Sequence, residues 1–282
     1  MWPSETSAAS FKERASLARR ATELARAAMP GVDVEVLWDG MWVRRVGPDY
    51  FPDPDMFRLP EPDWKRWAGQ AQKHLRDAED YWFHLYKPQP GDAIVDIGAG
   101  RGEDVFAFSR AVGPAGRVWA IEPHPVSFAA LRLLCELNRL ANVTALNYAC
   151  IDQAGELQIE TLPVWESNYV RAGDPSASSY PVKSVRFDDL AEEHGIERID
   201  FLKMNIEGAE RRALPGCEEA LRRARFVCIA AHDFRADRGE GDAFRTLDFV
   251  KQFVSGAGFE IVMRDDPRYY VPYHVHGVRR GG

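Results

Sequence analysis

The sequence predicts an α/β fold: a doubly wound, mostly parallel sheet of seven strands, preceded by a helix–hairpin–helix extension. Three observations predict it. From residue 92 onward, apolar strand-like runs alternate with helical patterns, which implies a parallel sheet with helices on both faces. An apolar run, 93–97, leads straight into three alternating glycines, Gly98, Gly100 and Gly102, and then into a helical pattern. That order describes a buried strand, a tight turn and a helix, the first unit of a nucleotide-binding sheet. Before residue 88, an Asp-Gly hairpin signal and a proline-rich connector mark a segment built differently. The expected division is an extension over 1–88 and a sheet domain over 89–282.

Taken in order, residues 8–28 are rich in Ala, Leu, Arg and Glu and are stopped by Pro30-Gly31, which predicts a helix. Two β-prone runs, 34–38 and 41–46, flank Asp39-Gly40, the dipeptide a type I′ hairpin turn requires. Pro48, Pro52, Pro54, Pro60 and Pro62 form the connector, after which Asp63 caps a helix expected to run to about Tyr86. Pro88 and Pro90-Gly91 set the boundary before the first core strand. Strands are expected at 92–97, 117–122, 143–148, 199–205, 225–231, 258–263 and 271–278. Helices are expected near 103–112, 125–140, 187–194, 209–222 and 242–256. A further hairpin, 156–161 with 182–186, brackets a polar loop from Pro163 to Pro181, long enough to be functional or mobile.

At 282 residues, the chain can bury a sizeable core, and 45% hydrophobic with 28% charged residues is ordinary for a globular protein. A net charge of −7 and a pI near 5.6 argue against a dedicated nucleic-acid binder. The basic pairs Arg19-Arg20, Arg44-Arg45, Arg222-Arg223 and Arg279-Arg280 are expected at solvated element ends. Cys135, Cys150, Cys217 and Cys228 lack C-x-x-C spacing and lie in or near apolar stretches, which predicts free thiols in a reducing compartment and no zinc or disulfide. No signal pattern and no apolar run long enough to span a membrane are visible, so the cytoplasm is the expected location.

The glycine spacing selects the ligand. A dinucleotide fingerprint needs a third glycine at 103, where Glu103 stands, so G-x-G-x-x-G fails. An acidic residue before G-x-G-x-G is similar instead to the class I S-adenosylmethionine (SAM) methyltransferases. In that likeness Asp96 orients the loop and reaches the methionine part of SAM, while Gly98, Ala99, Gly100 and Gly102 form the loop. Glu122, at the tip of the second strand before Pro123, can accept both ribose hydroxyls. Asp152, after the third strand, can accept the adenine amino group or serve as a turn residue. In the fourth strand Lys203, Asn205 and Glu207 share one face by strand periodicity. Three such polar groups are costly unless they pair or bind something, and a Lys203–Glu207 ion pair is the structural alternative. His232 follows the fifth strand and places an imidazole at the neighbouring tip.

Three blocks together carry a resemblance to the FkbM family of SAM-dependent methyltransferases. They are residues 87–102 through Asp96 and the glycines, residues 120–125 with Asn138 to Val143 behind them, and residues 185–190 with 200–210, including Lys203, Asn205, Glu207, Gly208 and Glu210. The resemblance covers roughly residues 80–265. It implies a class I methyltransferase fold, SAM as cofactor, and methyl transfer to a hydroxyl of a small acceptor, often a sugar or secondary metabolite. Two positions depart from the family pattern: Asn205 replaces an expected Asp, and Ala230-Ala231 stand where a Glu commonly precedes the His.

Methyl transfer needs in-line alignment and exclusion of water, and a positioned base assists a weakly acidic hydroxyl. The expected roles are His232 as base, Glu207 orienting the acceptor or His232, Lys203 in support, and Asn205 hydrogen-bonding the SAM amino group or the acceptor. A divalent metal held by Glu207, Asn205 and His232 is the weaker alternative, because one carboxylate is a thin set for Mg²⁺, and no metal ligands are assigned. The 163–181 loop and the N-terminal region, with Trp64, Trp67, Tyr81 and Trp82, are expected to recognise the acceptor or, for the aromatics, to pack as core. The competing classes are a non-catalytic SAM-binding protein, a nucleic-acid methyltransferase, which lacks the expected Asp/Asn-Pro-Pro-aromatic tip, and a nicotinamide oxidoreductase, which lacks a Tyr-x-x-x-Lys pair. No nucleic-acid or membrane partner is expected, and homo-oligomerisation is left open.

Overall fold

The computed structural model describes residues 11–57, 63–160, 170–171 and 179–280. Most of the long polar loop expected at 163–181 lies outside them. In the extension, α1 (Phe11–Ala28) buries Ala21, Thr22 and Ala25 against β1 (Val34–Asp39). The small side chains bring the helix close, and the Val36 N–H donates to Thr22 Oγ1 at 2.9 Å. β1 and β2 (Met41–Val46) form the expected hairpin about Gly40, which sits at φ +70°. A third strand, β3 (Asp49–Pro52), pairs antiparallel with β2 inside the segment expected to be only a connector. Pro52 is tolerated because β3 is an edge strand.

The expected helix over 63–86 is broken. A 3-10 turn, Trp64–Trp67, is followed by Gly69 at φ +71°, then α2 (Gln70–Asp77) and a π-helical turn, Ala78–Trp82. The left-handed glycine ends one piece and starts the next, and the wider π turn re-aims Tyr81 and Trp82.

Among the described residues, seven strands form the main sheet, in the order β13–β14–β12–β11–β4–β5–β6. The chain runs β4 (Ala93–Ile97), α3 (Glu103–Val112), β5 (Arg117–Ile121), α4 (Pro125–Leu137) and β6 (Val143–Leu146) towards one edge. β7 (Ala149–Cys150), β8 (Gly155–Glu160), β9 (Val170–Arg171) and β10 (Ser179–Val185) make a second, four-stranded sheet that contains the expected extra hairpin. The chain then returns through α5 (Phe187–Glu193) to β11 (Ile199–Met204) on the other side of β4. α6 (Glu210–Ala213), α7 (Glu218–Arg223) and β12 (Ala224–Ala230) come next, followed by α8 (Asp233–Asp237), α9 (Leu247–Gly256), β13 (Phe259–Val262) and β14 (His274–Arg279). β14 is antiparallel to both its neighbours. The helix expected over 209–222 is interrupted by a 3-10 turn at Leu214–Gly216, where Pro215 lacks an N–H to donate.

One face of the sheet packs Val95, Ile97, Leu202, Met204 and Ile229 beneath α5, α7 and α9. The opposite face packs Ile94, Phe201 and Cys228 against α3 and against Trp82, Phe83 and Tyr86 of the N-terminal segment. The extension is tied to the sheet domain by Asn138, which donates to the Tyr50 carbonyl at 2.7 Å and accepts from the Tyr50 N–H at 2.9 Å. Arg264 reaches Asp80 at 2.8 Å and so pins the π turn. The strand order reverses between β4 and β11, and in open α/β sheets a ligand crevice forms at that switch point.

Candidate active site

The carboxyl ends of β4 and β11 meet at one tight junction. The Asn205 N–H donates to the Ile97 carbonyl at 2.9 Å, and Gly98 sits at φ +85° directly beside it. A Cβ on Gly98 would stand 2.0 Å from the Asn205 carbonyl oxygen, so the close approach requires glycine. Gly98, Ala99 and Gly100 line a cleft of about 430 Å³ at this junction, and neither glycine puts a side chain into it. Gly102 does not line the cleft; it lies against Leu131 of α4, where a Cβ would come within 2.8 Å of that side chain.

Glu122 follows β5 and faces the glycine loop. Its Oε2 accepts from the Gly100 N–H at 2.8 Å and its Oε1 from the His124 N–H at 2.9 Å. Burial pushes the carboxyl up to about 7, against the opposing effect of these two N–H groups. Each oxygen keeps a lone pair for a further donor. Pro123 also lines the cleft.

Beneath the loop, Lys203 is fully buried. Its Nζ donates to the Gly98 carbonyl at 2.8 Å and lies 2.7 Å from Asp96 Oδ1 and 3.5 Å from Asp104 Oδ2. Burial alone would lower the Lys203 ammonium, but Asp96 and Asp104 outweigh it and hold it above its usual range. Asp96 is pushed up to about 6 by burial, with Lys203 opposing the shift. The Lys203 ammonium, 2.7 Å away, is the group that meets the buried Asp96 carboxylate. Asp96 supports the loop through Lys203 and is not among the residues that line the cleft. The alternative Lys203–Glu207 ion pair is not formed either, because β11 ends at Met204 and the chain turns before Glu207.

That turn is unusual. Glu207, a non-glycine residue, sits at φ +54° and is followed by Gly208 at φ +97°. The two left-handed residues aim Glu207 towards the tip of β12. Its Oε1 lies 3.2 Å from His232 Nε2, and its Oε2 accepts from Arg235 at 2.7 Å. The other ring nitrogen of His232, Nδ1, lies 3.0 Å from Oε1 of the fully buried Glu210. Burial would lower the imidazole, but Glu210 and Glu207 outweigh it and raise it to about 10. His232 is thus an imidazolium near neutrality, with both nitrogens engaged and no place in the cleft wall. Both ring nitrogens face carboxylates, an arrangement that suits holding Glu207 in place better than accepting a proton from a substrate.

Asn205 and Glu207 line the cleft, as does Lys203. Asp152 does not: it is exposed, and the wall after β6 is made by Tyr148, Ala149 and Cys150. The chain leaves the main sheet at β7, which carries Asp152 outward. The aromatic residues of the N-terminal region divide. Trp67 is core of the extension, with Trp64 edge-on to it at 4.8 Å, whereas Tyr81 and Trp82 line the cleft. The far wall also holds His74 and Asp77, which sequence reasoning missed. His74, Asp77 and Tyr81 fall at i, i+3 and i+7, so a one-face pattern of polar and aromatic residues was the available signal. Burial pushes His74 down to about 4 and so keeps it neutral.

Three curated relatives are similar to this chain. The 31-O-demethyl-FK506 methyltransferase FkbM of Streptomyces tacrolimicus is 29% identical over 72% of this chain and 86% of its own length. The 2-O-methyltransferase NoeI of Sinorhizobium fredii is 26% identical over 64% of this chain and 82% of its own length. The hexuronic acid methyltransferase AglP of Haloferax volcanii is 25% identical over 52% and 59%, respectively. Residues 96–261, which contain the glycine loop, Glu122, Lys203 and the Glu207–His232 pair, match the Methyltransferase FkbM domain, and the chain belongs to this methyltransferase family.

Proposed function

We propose that the protein binds SAM in the cleft at the β4–β11 switch point and methylates a hydroxyl of a sugar or secondary metabolite. One observation carries the reading. A single cleft joins a side-chain-free glycine loop and the Glu122 carboxylate at one end to Asn205, Glu207, Tyr81 and Trp82 at the other. Its volume is in the range of small-molecule sites. The relatives support the acceptor class, since two are named for oxygen methylation and one for a hexuronic acid.

The residues present fit the cofactor. Glu122 has unused acceptor capacity for ribose hydroxyls, and the loop leaves room for the adenosyl group. When bound, SAM supplies a methyl group already made electrophilic by its sulfonium. Glu207 accepts the hydrogen bond of the acceptor hydroxyl and takes its proton. His232 and Arg235 hold that carboxylate in place, so His232 is a positioning residue. Lys203 fixes the loop through the Gly98 carbonyl, and Asn205 hydrogen-bonds the cofactor amino group. Tyr81 and Trp82 offer an aromatic wall for a sugar ring.

Calorimetric titration with S-adenosylhomocysteine tests the cofactor site. Ribose hydroxyls donate to an ionised Glu122, so affinity should rise up to about tenfold between about pH 6 and about pH 8. Glu122→Gln should bind more weakly and lose this dependence. No binding by the wild type would sink the reading, and unchanged affinity in Glu122→Gln would place the ribose elsewhere. Glu207→Gln should lower kcat on a glycoside acceptor while S-adenosylhomocysteine affinity holds; undiminished turnover would remove Glu207 from proton transfer.

A further inference from the structure

Outside the cleft wall, three buried donor groups converge on the sheet face that packs against the N-terminal segment. In the β12–β14 pairing Cys228 stands opposite His276, and Ala230 opposite His274. The thiol and the two imidazoles of His274-Val275-His276 therefore share one face. Cys228 Sγ lies 3.9 Å from His276 Nε2, and one donor atom from each of the three residues lies within 4.8 Å of the others. Among the described residues, this is the cluster of His, Cys and carboxylate groups so arranged.

Packing alone does not account for the set. Aliphatic side chains would fill the same face without polar atoms, whereas His274 Nδ1 is buried with no hydrogen-bond partner. Such an orphan is costly unless something meets it. The flat face of Trp82 stacks on the His274 ring at 5.1 Å and 15°, which limits the ring's rotation. On the solvent side the exposed His84 ring stands 5.2 Å from that of His276.

We propose that Cys228, His274 and His276 bind one Zn²⁺ ion, with its fourth position towards His84. Zinc bonds of about 2.3 Å to sulfur and about 2.0–2.1 Å to nitrogen set tetrahedral donor separations of roughly 3.4–3.6 Å. The observed separations, 3.9 Å between Cys228 Sγ and His276 Nε2 and up to 4.8 Å within the set, exceed these, so metal binding would draw the three donors together. On binding, the Cys228 S–H bond breaks, the sulfur bonds the metal and the proton leaves to solvent. The charged groups facing the cluster are Lys203, in register with Cys228 on β11, Asp104, Arg264, His84 and His232; burial and Asp104 disfavour the thiolate, Lys203 favours it, and the cationic neighbours oppose the metal, so the bonds to the ion must outweigh them. The proposed ligands do not line the cleft, whereas Trp82 and Lys203 touch both sites.

Cobalt titration of the chelator-stripped full chain decides this. The wild type should bind one equivalent, develop a thiolate-to-cobalt charge-transfer band and tetrahedral ligand-field bands, and lose them on addition of Zn²⁺. Cys228→Ser should abolish the charge-transfer band, and His276→Ala should weaken binding about tenfold or more. Cys135→Ser should leave the spectrum unchanged. A wild-type titration without these bands overturns the proposal whatever the variants do. A charge-transfer band that survives undiminished in Cys228→Ser overturns it as well.

Discussion

Two buried cations stand near the cleft, Lys203 and His232, and each lies between two carboxylates. The Lys203 centre pairs an ammonium with Asp96 and Asp104 and spends one hydrogen bond on the glycine loop. The His232 centre pairs an imidazolium with Glu207 and Glu210 and spends none on the loop. They respond to pH in opposite senses. In the first, burial dominates at Asp96 and lifts it to about 6, so the carboxylate is the labile partner. In the second, the carboxylates dominate and lift His232 to about 10, so the cation is the labile partner. One centre holds the backbone of the glycine loop, the other holds the Glu207 carboxylate in the cleft wall.

The strongest way to break the comparison is Lys203→Met. It strands Asp96 at zero exposure without a cation and leaves the Gly98 carbonyl without its donor. Loss of one partner of a buried pair costs about 3–5 kcal/mol, measurable as a shift in urea midpoint at about pH 8. The sign at lower pH follows from Asp96. Lys203 is what holds Asp96 down to about 6, so in the variant Asp96 takes a proton at higher pH, and the penalty should shrink as pH falls from about 8 towards about 6 and level off below that. A penalty independent of pH would show that Asp96 is not the stranded group.

His232→Gln should cost less, about 3 kcal/mol, because Glu207 retains Arg235 while only Glu210 loses its cation. Here the folded-state value is raised from the usual 6.5. The contribution of His232 is therefore complete below 6.5 and is lost as pH rises towards about 10. Chemical denaturation of the wild type should show stability falling across that window, and the variant should lack this slope. An equal slope in both proteins would assign the alkaline transition to another group.

Much of this was legible in the sequence, and the failures share a cause. The seven strands, their alternation with helices and the glycine loop follow from local pattern, which one chain segment carries by itself. Asp96 and Lys203 were recognised as site residues, but their pairing was not, because it depends on β4 lying beside β11, a placement fixed by topology. The expected Lys203–Glu207 pair assumed that strand periodicity continues to 207; the left-handed turn at Glu207 and Gly208 ends it. His232 was placed correctly at a strand tip, yet its two carboxylate partners lie more than twenty residues upstream and arrive only through the fold. The same holds for Cys228. Judged by spacing along the chain, its thiol is isolated, whereas the antiparallel β12–β14 register sets it opposite a His-x-His run.

The smallest effect sharpens the boundary of the His232 centre. Arg235 donates to Glu207 at 2.7 Å on one side and to Glu240 at 2.7 Å on the other. Glu207 is mostly buried, whereas the Glu240 side chain is 40% exposed, so water screens the second pair and holds less of it in one geometry. The Arg235 guanidinium also lies over the Phe244 ring at 4.1 Å, a contact that does not depend on Glu240. Glu240→Ala should therefore cost less than about 1 kcal/mol, and raised salt should diminish even that difference. A larger, salt-insensitive loss would mean that Arg235 is held from its outer side, and that the centre extends past α8 to Glu240 instead of ending at Arg235.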